Sequence, residues 1–217
     1  GSEMCIRDSD AYQAVYTGLG RARSIPAPPP FSYLETGFTP ATFRRGVPMT
    51  RLGRRANPFP VIQLPHHRLI NPWTLGAVHH EVSHNLQSDL DLWGEVPRRL
   101  SRRLADAGLP PAVAKIWARW HKEIWADLCG LLLGGPAIVS SLLDVVGRSP
   151  RRTKSFNPKG VHPTPYLRVL ISLELLDRMG FPADAKRFRQ LWKQMYPAPG
   201  QSNMPRELLS TFPLAHG

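Results

Sequence analysis

Prolines decide where this chain can be helical. A proline removes a backbone donor and clashes with the preceding turn, so it belongs in the first turn of a helix or outside one. The 217-residue sequence holds 23 prolines. Many crowd into "SIPAPPPFSYLETGFTP", "PFPVIQLP" and "YPAPGQSNMP". These stretches read as extended connectors. Between them lie windows of helical periodicity, several of them opened by proline.

The first window, residues 10–22, predicts a short helix. Residues 23–60 are rich in Pro and Arg with little periodicity, and read as an arm. "PVIQLP" (60–65) reads as a short edge strand bounded by prolines. A helix is expected from Asn71, as N-cap, and Pro72 to about Leu92. "EVPRRLSRRLADAG" forms an amphipathic helix closed by Gly108. A longer helix begins at Pro110 or Pro111. Ile116, Trp117, Trp120, Ile124, Trp125 and Leu128 give it a broad apolar face, and Gly134-Gly135 stops it. Pro136 opens the next, a basic loop covers 148–160, and two helices follow before the last connector. The expected fold is mainly α, with a short edge strand or small sheet ahead of the helix at 71–92. One domain spans 61–196, with a tail at 197–217.

The uncharged run 128–143 is too short for a membrane span and is broken by Gly-Gly-Pro, so it predicts a buried helical hairpin. Net charge is +12, which suits a basic surface or a polyanion partner. The arginine pairs are scattered and no aromatic-interleaved strand accompanies them, which argues against a nucleic-acid module. "EMCIRDS" (3–9) back-translates to a transposase end sequence used in sequencing libraries, and residues 1–9 are read as an assembly remnant outside the fold. Cys129 is then the one native cysteine. It excludes a disulfide framework and points to the cytoplasm.

"AVHHEVSHNLQ" (77–87) carries the chemistry. His80-Glu81-Val82-Ser83-His84 is HExxH. On a helix, positions i and i+4 share a face, so His80 and His84 can offer two imidazoles to one ion. Glu81, beside a ligand, is placed as a general base for the attacking water. His79 points off that face. Leu75, Val78, Val82 and Leu86 supply packing. A zinc hydrolase needs a third protein ligand. The metzincin position for it is Leu90, which excludes that pattern. The gluzincin pattern asks for Glu-x-x-x-Asp on a later helix, and Glu123-Ile124-Trp125-Ala126-Asp127 supplies it among bulky apolar neighbours. Glu123 can bind the ion, and Asp127 can accept a hydrogen bond from a ligand histidine.

With a late His162-Pro163-Thr164-Pro165-Tyr166-Leu167-Arg168, the order resembles the gluzincin metallopeptidases of the HtpX and CAAX-prenyl-protease type. The likeness covers roughly residues 71–180. It implies zinc-dependent hydrolysis of peptide bonds in a peptide or protein substrate, with His80, His84 and Glu123 as ligands and Glu81 as base. Those relatives carry transmembrane helices, and this chain shows none. Zincins place an edge strand beside the active helix, so the substrate is expected along 60–65. His162, or less strongly Tyr166, can donate to the oxyanion, and Arg168 can pair with Asp127 or another buried carboxylate. His66 and His67 read as surface loop, and His121 as packing. Two rivals remain: a zincin-like domain that binds metal without catalysis, and a basic nucleic-acid binder with incidental histidines. Glu81 speaks against the first, because a structural site has no use for a base.

Overall fold

The structure is a computed structural model that describes residues 10–15, 17, 29–50, 53–197 and 208. Residues 1–9 and most of the tail lie outside the described residues. The fold is mainly helical with one small sheet. The chain divides into two units: Gly1–Leu92 with Trp125–Ser141, and Trp93–Ile124 with Leu142–Gly217.

In the first unit, strands β1 (Phe31–Glu35), β2 (Ala41–Phe43) and β3 (Val61–Pro65) form a sheet in the order β1-β3-β2. β1 runs parallel to β3, and β2 antiparallel. The expected edge strand is therefore the central one. The prolines misled because they stand just outside the doubly paired stretch. β2 reaches β3 only at 61–63, while Pro65 meets Glu35 of β1 alone, a position that needs no donor on its other side. The arm expected at 23–60 also holds strands. β2 and β3 belong to one long hairpin, continued in the same register by the Pro48–Ala56 bridge. Gly46 N donates to Asn57 O at 2.8 Å and Asn57 N to Val47 O at 3.0 Å.

A short helix, α1 (His67–Ile70), and a 3-10 turn (Pro72–Leu75) lead into α2 (Gly76–Asp89). The expected helix thus starts one turn late. Asn71 caps nothing with its side chain; its carbonyl accepts from Thr74 N and Oγ1. Val78, Val82, Leu86 and Leu90 pack with Ile62 and Leu64 of β3 and with Ala11 and Tyr12 of the N-terminal helical residues 10–15. Tyr12 OH donates to Asp89 at 2.9 Å.

The second unit begins at Trp93, the second residue of α3 (Leu92–Asp106). This helix closes as expected: Gly108 takes φ +77°, and Leu109 N reaches Leu104 O at 3.0 Å, the Schellman pattern. α4 (Pro111–Gly134) is one continuous helix with residues in both units. α5 (Pro136–Val146) follows a turn at Gly135, φ +62°. The 128–143 run thus covers the end of α4, the turn at Gly135 and the start of α5, and it is buried only in part, with Leu132 61% exposed; no helix of the described residues is long and apolar enough to cross a membrane. The basic loop contains a helical turn, α6 (Pro150–Thr153). α7 (Pro165–Arg178) and α8 (Pro182–Met195) complete the unit. Leu167, Leu173, Leu176 and Trp192 are fully buried, and Trp192 Nε1 donates to Tyr166 O at 3.3 Å.

Candidate metal centre

α2 is buried where its composition would not put it. Val82 and Leu86 are core residues, yet Glu81, Ser83, His84, Asn85 and Gln87 are buried beside them. Polar groups taken from water need partners or a cation. Several partners are present. Trp125 Nε1 donates to Ser83 O at 3.2 Å, tying α4 to α2. Asn85 Nδ2 donates to Thr42 Oγ1 at 2.6 Å, tying α2 to β2.

His80 Nδ1 donates to Asp127 Oδ1 at 2.8 Å. That bond places the proton on Nδ1 and leaves the Nε2 lone pair facing outward. His84 Nε2 lies 3.2 Å from His80 Nε2. Two nitrogens about 2.0–2.1 Å from one tetrahedral ion stand about 3.3–3.4 Å apart, so the pair is spaced as ligands of a shared ion. Glu123 lies one turn before Asp127 on α4. One nitrogen of each histidine and a Glu123 carboxylate oxygen all fall within 4.8 Å of one another. The donor set is two imidazoles and a carboxylate, which suits a borderline divalent cation.

The remaining expected residues divide. Arg168 Nη2 is 3.8 Å from Glu123 Oε2, and His162 Nε2 is 3.2 Å from the same oxygen. Arg168 thus stands beside Glu123, and Asp127 accepts from His80. His162 is exposed and Arg168 largely covered. Tyr166 is 1% exposed. Burial raises its phenol pKa, so the hydroxyl keeps its proton within the core of the second unit. Glu81 is buried on α2. His79 lies outside the triad. His121 is buried against Trp93, and its Nδ1 donates to Ala118 O at 2.7 Å. His66 stands at the N-cap of α1 and His67 is its first residue, both ahead of α2.

Two contributors went unread in the sequence. Asn85 fastens the helix to the sheet. Gly130 lets α4 approach α2: a Cβ there would stand 3.4 Å from His79 C and His80 N. The signal for Gly130 was a glycine inside a long helix, which costs about 1 kcal/mol and asks for a close neighbour. Comparison with protein-family models, curated proteins and solved structures found no match.

Proposed function

We propose that this chain is a zinc-dependent peptide hydrolase of gluzincin type. The observation that carries the reading is the convergence of His80, His84 and Glu123, with Asp127 fixing His80. His80, His84 and Glu123 would hold the ion. Zinc there supplies a Lewis acid that makes water nucleophilic at neutral pH and polarises a carbonyl. Glu81 takes the proton from the attacking water and returns it to the leaving amine. His162, exposed beside Glu123, donates a hydrogen bond to the developing oxyanion. Arg168 holds the Glu123 carboxylate in place. The substrate runs extended along the outer edge of β2, the strand fastened to α2 through Thr42 and Asn85. Backbone pairing at that edge would give affinity with little demand on sequence.

The test is zinc content together with hydrolysis of an unfolded protein. Wild type carries about one zinc per chain. Glu123→Ala loses it. Glu81→Gln keeps it and is inactive. A wild type purified without chelator and free of zinc overturns the reading.

A further inference from the structure

In the second unit, α4 carries a row of basic residues that leads to the proposed zinc ligand. Lys115, Arg119 and Glu123 recur at four-residue spacing, so they follow one side of the helix. Lys115 and Arg119 are exposed. Each four-residue step advances about 6 Å along the axis. The loop after α6 runs beside this row. Arg119 Nη1 donates to Pro158 O, and four residues later His162 Nε2 stands 3.2 Å from Glu123 Oε2. Lys159, also exposed, lies between those two anchors.

The loop is held in place. Phe156 is buried, with its ring centroid 6.1 Å from that of Trp120. Lys159 N donates to Asn157 Oδ1 and Gly160 N to Asn157 O, both at 3.0 Å. Among the described residues, no carboxylate pairs with Lys115, Arg119 or Lys159. Glu123, at the end of the row, already has Arg168 and His162 beside it.

A basic row on a helix is usually a solvated face. Position separates this one, because it starts at a ligand of the proposed ion. An extended peptide rises about 3.3 Å per residue. Arg119 and Lys115 therefore stand about two and four residues from a bond cut at the ion. An acidic side chain there meets a cation without a carboxylate partner, and a basic side chain is repelled. Three cations are few for a nucleic acid, which draws its affinity from many phosphate contacts. They suit one or two side-chain carboxylates.

We infer that Lys115, Arg119 and Lys159 select substrates with Asp or Glu about two to four residues to one side of the scissile bond. The inference rests on the zinc-hydrolase reading. Backbone pairing supplies affinity with little demand on sequence, and this row adds the demand.

The zinc-loaded full chain digests a mixture of unstructured peptides, and mass spectrometry reads the cut sites. Asp and Glu are enriched roughly three- to tenfold at those positions, and the enrichment shrinks as salt rises. A Lys115→Glu, Lys159→Glu double variant loses the enrichment and admits basic residues there. The Lys115→Glu change also gives Arg119 a partner one turn away. Both positions are exposed, and circular dichroism checks the fold; Lys159→Gln alone lowers the enrichment in part. Cut sites without acidic enrichment overturn the proposal, as does enrichment that the double variant keeps. So does a DNA oligomer that wild type binds as tightly as an acidic peptide and the double variant releases, which would make polyphosphate the occupant. A wild type that carries zinc and cuts no peptide overturns the hydrolase reading instead. Fluorescence anisotropy with matched Glu and Gln peptides then still tests the row, and equal affinity sinks it.

Discussion

Helices α2 and α3 invert the usual relation between sequence and burial. α3 has a strongly apolar face, with Val96, Leu100 and Leu104 opposite Arg98, Arg99, Arg102 and Arg103, yet none of its 15 residues is fully buried. α2 has a weak apolar stripe, yet eight of its 14 residues are buried and five of those are polar. Apolar stripes explain why a helix sits on a surface. They do not explain why Glu81, His84 and Asn85 leave water. The partial burial of Val96, Leu100 and Leu104 in α3 follows from hydrophobic contact. Burial in α2 follows from chemistry, through Asp127, Thr42 and the convergence of His80, His84 and Glu123.

This contrast can be broken at several points. The largest effect belongs to Glu81→Gln, which should lower peptide hydrolysis by about 10²–10⁴-fold with zinc retained, read by turnover beside metal analysis. If hydrolysis survives, buried polarity in α2 does not mean catalysis. Asp127→Asn comes next. The histidine proton loses a charged acceptor, and zinc affinity should fall about 10–100-fold in a competition titration with a chelator. Gly130→Val drives side-chain carbons toward the backbone at His79 and His80. Thermal unfolding should show a loss of about 1–3 kcal/mol.

Tyr166→Phe sharpens the site boundary. The folded chain holds the buried phenol proton more tightly than the unfolded chain does. Stability from this group is therefore complete below the ordinary tyrosine value of about 10 and is lost as pH rises from there through the higher value of the folded chain. The variant should flatten that alkaline loss in denaturant titrations and leave hydrolysis unchanged; lost hydrolysis would return Tyr166 to the site. Arg102→Ala in α3 should change stability by no more than about 0.5 kcal/mol, as at other exposed positions.

The same contrast shows what could be read before the structure. The ends of α4, α5 and α7 follow from proline at the start and glycine at the stop, which act locally; α3 instead starts at Leu92 with Pro97 inside it, and α8 opens on Pro182 but stops at Met195 without a glycine. The histidine pair and the two carboxylates follow from helical spacing. The strands at 31–35 and 41–43 did not, because their pairing is non-local and prolines interrupt the hairpin that joins β2 to β3. Pro60 and Pro65 made β3 look like an edge when two neighbours flank its middle. Arg168 was expected beside Asp127 or another buried carboxylate, and geometry sets it beside Glu123.

Gly130 has a consequence for how such a chain can change length. Asp127, Glu123 and Gly130 lie on one continuous helix, and the glycine marks where α4 rests against α2. Inserting one residue between Glu123 and Gly130 would turn Glu123 by about 100° about the helix axis, carrying its carboxylate off the side that faces the histidines. Insertions in the segment 147–149 or in the turn at 107–110 leave that phase untouched. The tolerance of this protein to insertion and deletion should therefore fall to a sharp minimum across one two-turn interval, while its loops stay free to drift in length.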